Sequence, residues 1–478
     1  MTAFSLEPAQ LAWCAEVRAL AATRLRPLAE KGEPGRVNRA LLVELGALGL
    51  LPRLFTSGAL DLCLMRESLA HACTEAETAL ALQGLGAHPV HAHGTETQRA
   101  RWLPRVSDGS AVAAFALSEP DAGSDAAALS MGAEPDAGPA GTGAVETGAA
   151  YAGRRGAPGT TRPVTPDTAT AERPGTGTAR PGAGRGAETS RPPGFGTPVT
   201  GRPGREASRP APDADGPGAR QAPAAASLAA DRDGPSAWRL TGEKCWISNA
   251  PEADFYTVFA RTTLGAGARG VTAFLVPADR PGLTGTPLDM LSPHPIGALA
   301  FDAVPVTADD VLGEVDRGFR VAMDTLNLFR PSVGAFAVGM AQAALDATLA
   351  HTTAREAFGG RLRDLQTVAH QTAEMALRTE AARLMVYAAA TAYDEGAPDV
   401  PRRAAMAKLL ATETAQYVVD RAVQLHGARA LRRGHLLEHL YREVRAPRVY
   451  EGASEVQRGI IAKELYRTLD ATTEEAGA

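Results

Sequence analysis

Glu451 is the residue with the strongest claim to chemistry. It lies in Tyr450-Glu451-Gly452-Ala453-Ser454-Glu455-Val456-Gln457. Ser454 followed three residues later by Gln457 reads as a capping box, with Val456, Ile460, Ile461 and Leu465 behind it at helical spacing. Glu451 is therefore expected on a short loop ahead of a helix N-terminus, held as an anion by the helix dipole and made reactive by what packs around it. The ordinary alternative is a solvated acid before a helix. A second stretch, Ala111 to Ser118, is apolar and stops in Glu119-Pro120-Asp121-Ala122-Gly123-Ser124-Asp125. That pattern predicts a strand running into a tight loop. A third, Gly265-Ala266-Gly267-Ala268-Arg269-Gly270, matches the G-x-G-x-x-G dinucleotide fingerprint. The fingerprint needs a helix after it, and Val271 to Val276 reads as a strand, so these glycines are assigned to a hairpin loop.

The elements that must position these residues fall into three blocks. Residues 7 to about 110 carry helical periodicity through Leu11–Leu28, Leu41–Leu50 and Leu64–Leu82. Short β-rich runs follow, at Ala237–Ala250, Phe255–Thr262, Val271–Val276 and Ala298–Phe301. From Gly318 the pattern is helical again. One apolar stripe is Val368, Thr372, Met375, Thr379, Ala382, Met385 and Ala389; another starts with Met406, Leu410, Tyr417 and Leu425. The tail from Asp470 reads as polar and frayed. Between Met131 and Ala224 over half the residues are Gly, Pro or Ala, and no Leu or Ile occurs from 130 to 227. Such a segment buries too little apolar surface to offset its ordering entropy, and it is read as a disordered insertion spanning 130–226. The expected class is α+β: an N-terminal α-helical domain (1–112), a middle small β-barrel or sandwich domain (113–313) containing the insertion, and a C-terminal four-helix bundle (314–478).

The totals exclude several function classes. The chain has 478 residues, 45% hydrophobic, with formal net charge −5, so no basic excess points to nucleic acid. The N-terminus lacks a positive region followed by an apolar run, and no apolar stretch reads as long enough to span a bilayer; a cytoplasmic location is expected. The four cysteines form no C-x-x-C pair, so neither a disulfide framework nor a metal site is expected.

Four local sequences carry a resemblance. Ala116-Leu117-Ser118-Glu119-Pro120-Asp121-Ala122-Gly123-Ser124-Asp125 resembles the A-[LV]-[ST]-E-P-x-A-G-S-D motif of acyl-CoA dehydrogenases. Gly242-Glu243-Lys244-Cys245-Trp246-Ile247-Ser248-Asn249-Ala250 is similar to that family's second flavin-contacting stretch, Arg355-Glu356-Ala357-Phe358-Gly359 to its R-x-x-F-G, and Tyr450-Glu451-Gly452 to its catalytic loop. They occur in the family's order across the whole chain outside the insertion.

The resemblance implies an FAD enzyme that places a double bond between Cα and Cβ of an acyl-CoA thioester. Glu451 would remove the α proton while flavin N5 takes hydride from Cβ, and the backbone N–H of Glu451 would help polarise the thioester carbonyl. Some relatives carry the base just before an Arg on a bundle helix; here that residue is Phe329, ahead of Arg330, which cannot accept a proton. For FAD the resemblance implies Phe115, Leu117 and Ser118 on one strand and Trp246, Ile247 and Ser248 on another. Arg355, Phe358 and Gln366 would come from a neighbouring subunit, Gln424, Gly427 and Ala428 would hold the adenylate end, and Ala453 and Glu455 would complete the set. Ser124 and Arg330 would contact the CoA arm and Gly452 the thioester. It further implies a homotetramer that passes electrons to an electron-transfer flavoprotein. A same-fold oxidase or monooxygenase, a dehydrogenase of carrier-protein thioesters and a non-catalytic scaffold are the alternatives.

There are departures. Ala357 and Ala453 stand where many relatives have Thr, and the loop Gln424–Ala430 has only one of the usual glycines. Each missing hydroxyl contact costs about 0.5–1.5 kcal/mol, so FAD is expected to dissociate more readily than from typical relatives. In relatives the helix containing Thr74–Leu80 approaches the end of the acyl pocket. Glu77 on it is read as facing solvent; facing the pocket, it would favour a short or polar acyl group. Acyl chain length is left open.

Overall fold

A computed structural model describes residues 6–136 and 237–477. An N-terminal helical block comprises α1 (Pro8–Leu20), α2 (Arg26–Ala29), α3 (Arg39–Ala47), α4 (Leu50–Thr56), α5 (Ala59–Ala72), α6 (Thr74–His93) and α7 (Glu96–Ser107). The sheet strands are β1 (Ala113–Ala116), β2 (Gly132–Pro135), β3 (Ala237–Ser248), β4 (Phe255–Arg261), β5 (Val271–Pro277), β6 (Leu283–Pro287), β7 (Ile296–Thr307) and β8 (Val311–Leu312). Then come α8 (Gly318–Ala354), the small hairpin β9 (Glu356–Ala357) and β10 (Gly360–Arg361), α9 (Gln366–Asp394), α10 (Val400–His426), α11 (Leu436–Glu443) and α12 (Ser454–Gly477).

The eight sheet strands form one mixed sheet, ordered β6-β7-β3-β2-β4-β5-β8 with β1 paired to β4. β4 and β5 are mostly apolar and are buried apart from the end of β4, and the core under them joins Phe274, Trp238 and Tyr256 to helical residues such as Leu80 and Phe329. α6 lies directly on β1. A Cβ at Gly86 would sit 2.6 Å from the Ala114 nitrogen, so only glycine permits this approach. Gln83, buried on the same helix, accepts from Ala113 N and donates to Ala111 O, both at 2.7 Å, clamping the start of β1. The glycine-rich loop 265–270 joins antiparallel β4 and β5 and precedes a strand, as the sequence reading requires.

Several expectations are corrected. Met131 is buried and residues 132–135 pair with β3, so the supposed insertion begins later; its remainder, 137–226, lies outside the described residues. On α9, Val368, Met375, Thr379, Ala382 and Ala389 are buried, but Met385 is 37% exposed and Val386 takes its place, because the helical repeat steps from 382 to 386 to 389. On α10 the large residues Met406, Leu410, Tyr417 and Leu425 are only half-buried. The fully packed face is made of Ala404, Ala407, Ala411, Ala415, Val418 and Ala422, small residues that let α8 and α9 approach closely. α12 stays helical through Gly477 rather than fraying at Asp470. α8 is long and apolar enough by composition to cross a membrane, contrary to expectation, but 72% of its most apolar window is buried inside the protein. It is the central helix of the bundle.

Candidate active site

The Glu451 loop is fixed from several sides. Glu451 and Gly452 both adopt left-handed backbone, φ +51° and +92°. Such backbone costs a non-glycine residue about 1–2 kcal/mol and persists only where surroundings enforce it. Lys408, fully buried on α10, donates to Tyr450 O (3.0 Å) and Gly452 O (2.6 Å). Gln457 donates to the same turn, at Glu451 O (3.1 Å) and Gly452 O (2.9 Å). Arg330, buried on α8, reaches Glu451 O at 3.4 Å.

The expected capping box does not form. The Ser454 hydroxyl donates to Glu413 at 2.6 Å, and Gln457 turns back to the loop carbonyls. The loop doubles back over the first turn of α12, so Gln457 meets carbonyl acceptors there and serves as a strut for the loop. Nor is Glu451 simply an anion settled on a helix dipole. Its Oε2 is buried without a hydrogen-bond partner among the described residues. Burial pushes its carboxyl above the ordinary range, against the pull of Arg66, Lys408 and Arg330. Lys408 is pushed down to about 8 by the same burial, with Glu451 opposing.

Glu77 does not face solvent. It is fully buried and ion-paired with Arg66 of α5, whose Nη1 also donates to Ser332 Oγ at 2.6 Å. Burial still pushes the Glu77 carboxyl up, against Arg66. Arg66, Lys408 and Ser332 were missed in the sequence reading. A signal existed: Arg66 follows Leu64 and Met65, and Lys408 lies between Met406-Ala407 and Leu409-Leu410, apolar surroundings in which a charge asks for a partner.

A second group sits on the sheet. β3 bulges against β7 between Lys244 and Ile247, and Trp246 takes φ +57°. The bulge turns the indole outward, 49% exposed, and sends the Ile247 side chain into the core, so Ile247 can offer a ligand only its backbone. Cys245 N donates to Ser118 O at 3.0 Å, bringing Ser118 and Leu117 beside the bulge. Lys244, fully buried, locks the ledge by donating to Leu117 O (3.0 Å) and Glu119 (2.9 Å). Glu119 also accepts from Ser130 N and Met131 N. Phe115 is half-buried against Phe259, with ring centroids 4.9 Å apart, and Ser248 is half-buried at the end of β3.

The remaining predicted residues stand apart. Arg355, Phe358 and Gln366 are exposed on and beside the β9–β10 hairpin, Phe358 at 89% and with φ +55°. Gln424, Gly427 and Ala428 are exposed at the end of α10, near the hairpin's root, where His351 and His426 stack at 4.2 Å. Among the described residues no hydrogen bond or ion pair joins these to Trp246 or Glu451. Ser124 is exposed on the loop after β1, and Glu455 is exposed on α12. Ala453 is half-buried between Gly452 and Ser454.

Three domain profiles of one family match in order: the acyl-CoA dehydrogenase N-terminal domain over residues 7–110, the middle domain over 216–304 and the C-terminal domain over 316–466. The chain belongs to the acyl-CoA dehydrogenase family. A probable acyl-CoA dehydrogenase, FadE25, of Mycobacterium tuberculosis is 38% identical over 233 residues, 48% of this chain and 60% of that protein. The human mitochondrial short-chain specific acyl-CoA dehydrogenase is 40% identical over 235 residues, 48% of this chain and 57% of that protein. The matched part thus spans less than two thirds of these curated relatives. Among solved structures, butyryl-CoA dehydrogenase from Megasphaera elsdenii aligns with TM-score 0.72 and 25% identity, covering 97% of this chain and 99% of its own.

The acyl-CoA dehydrogenase family implies FAD as the cofactor. The ledge suits it: an outward-facing indole beside two serine hydroxyls, Ser118 and Ser248, offers a flat apolar face with hydrogen-bonding groups at its rim, which matches an isoalloxazine.

Proposed function

We propose that the protein catalyses α,β-dehydrogenation of an acyl-CoA thioester, with Glu451 as the base. The supporting observation is the buried, unpartnered Oε2 of Glu451 amid three cations. A carboxylate that is desolvated yet not hydrogen-bonded is a stronger base than one in water, as removal of a weakly acidic α proton demands. Phe329, at the position where some relatives carry the base, packs against the His88 ring with centroids 6.1 Å apart and is buried, so it offers no competing base.

On this reading Gly452 leaves space for the thioester next to the carboxylate, and the Glu451 N–H helps hold the thioester oxygen as charge develops there. Arg330 serves the substrate side, and Ser124 meets the CoA arm at the surface. Phe115, Leu117, Ser118, Trp246, Ile247 and Ser248 hold the flavin ring. Arg355, Phe358 and Gln366 of a neighbouring copy, with Gln424, Gly427, Ala428, Ala453 and Glu455, hold the rest of the cofactor. Bound FAD supplies the acceptor for the hydride that leaves Cβ. Electrons would pass on to an electron-transfer flavoprotein, and the assembly would be a homotetramer. Anaerobic bleaching of the flavin by a panel of acyl-CoAs tests the reading. Glu451→Gln should retain FAD and slow bleaching about 10²–10⁴-fold; unchanged bleaching would refute the base assignment, and bleaching by carrier-protein thioesters alone would move the substrate class.

A further inference from the structure

Three cations act on Glu451, and the hydrogen bonds found for each of them go elsewhere. Lys408 of α10 donates to the carbonyls of Tyr450 and Gly452. Arg330 of α8 reaches the Glu451 carbonyl and Asn327 Oδ1. Arg66 of α5 is taken up by Glu77 of α6 and by Ser332 of α8, whose hydroxyl in turn donates to Phe329 O at 2.8 Å. Among the described residues the carboxylate thus lies in a positive field without a donor on it. The two effects differ chemically. A donor would occupy the lone pair that must take the proton, whereas a nearby charge raises the ionised fraction and leaves the lone pair free.

Arg66 is the member of this set held by a buried opposite charge. Its guanidinium side chain is 3% exposed and that of Glu77 1%, so neither charge can be satisfied by water. Through Ser332, two residues along α8 from Arg330, whose Nε reaches Glu451 O, the guanidinium is brought to the Glu451 loop, where its charge opposes the burial that raises the carboxyl. Around the pair stand Tyr450 on the catalytic loop, Thr78 on α6 and His294 from the β6–β7 connection, the last held by Glu443 at 2.6 Å.

We propose that the Arg66–Glu77 pair is a positioning device for the base: Glu77 and Ser332 hold the Arg66 guanidinium off the Glu451 carboxylate, so that its charge acts there without a hydrogen bond. The proposal rests on Glu451 being the base. It assigns work to a pair that would otherwise be a costly way to join α5 to α6, since a buried ion pair commonly contributes no more than an apolar replacement.

The test follows Glu451 directly. The pH-difference infrared spectrum of each protein, with the matching Glu451→Gln variant as blank, tracks the protonated-carboxyl band of Glu451 without need of substrate. In the double variant Arg66→Met/Glu77→Gln, which removes both charges together and so leaves no buried orphan, the midpoint should rise by about one pH unit or more. The acid limb of flavin bleaching should move with it. Arg66→Lys should restore the midpoint toward the wild-type value. Glu77→Gln alone, nearly isosteric, should lower the midpoint and slow proton removal, because the freed guanidinium can now bond the carboxylate; it decides the matter if the double variant fails to fold. An unmoved midpoint in the folded double variant, or in Glu77→Gln, overturns the proposal. If Glu451→Gln bleaches normally, the base reading fails instead, and the two failures are told apart by that variant.

Discussion

The Glu451 loop and the β9–β10 hairpin both hold a non-glycine residue in left-handed backbone, Glu451 at φ +51° and Phe358 at +55°, yet they are secured in opposite ways. The loop is tied by Lys408, Gln457 and Arg330 from its own chain, and these three side chains are buried. The hairpin has two paired residues on each strand, and its aromatic tip stands 89% exposed. Strain at the loop is offset by local hydrogen bonds. The hairpin has few, so its conformation matters chiefly for whatever it touches. A single chain is therefore enough to fix the Glu451 loop, while the residues proposed for the outer part of the cofactor would gain that role only in contact with a ligand.

That contrast can be broken at either end. Glu451→Gln, the largest expected effect on rate, should leave thermal stability near wild type, because the side chain accepts no hydrogen bond found in the structure. A large loss of Tm would show that the carboxylate is structural. Lys408→Met should lower stability by about 2–3 kcal/mol in denaturant unfolding, since it strips a charged donor from two loop carbonyls. Gly452→Ala should cost about 1–2 kcal/mol, because a Cβ at φ +92° would also lie 2.5 Å from Gln457 Nε2. Phe358→Ala should change stability by less than about 0.5 kcal/mol and instead speed flavin loss on dilution, read by fluorescence of released FAD. A destabilised Phe358→Ala would mean the hairpin tip is packed.

The smallest effect concerns pH. Burial would raise the Glu413 carboxyl, but the Ser454 hydroxyl and Arg448 hold it below the ordinary range. A depressed carboxylate stabilises above its unfolded pKa, about 4.5, and that contribution is lost as pH falls through the lower folded value. Glu413→Gln should therefore flatten the acid limb of the Tm–pH curve by about 0.5–1 kcal/mol or less, given partial solvent screening. An unchanged limb would show that α12 is anchored without it.

Much was legible in the chain itself. Element types and order followed from periodicity and turn residues, and the strand after Gly270 was enough to set aside the dinucleotide fingerprint. Motif residues around Ser118, Trp246 and Glu451 could be chosen because their local sequences resemble those of a known family. Errors around Glu451 arose where a residue had two possible partners. Gln457 suits a capping box as well as it suits a loop carbonyl, and Glu77 carries the same charge whether wet or paired.

The sequence by itself determined in what order the helices and strands run, since that depends on local spacing, and its motifs named candidate site residues by resemblance. Only the tertiary structure decided the environment of Glu451. Arg66, Arg330 and Lys408 come from three different helices, separated from it by up to several hundred residues, and their joint effect depends on burial and on which acceptors each has already taken. Electrostatics in a buried site is a property of distance through space, and chain spacing carries little information about that.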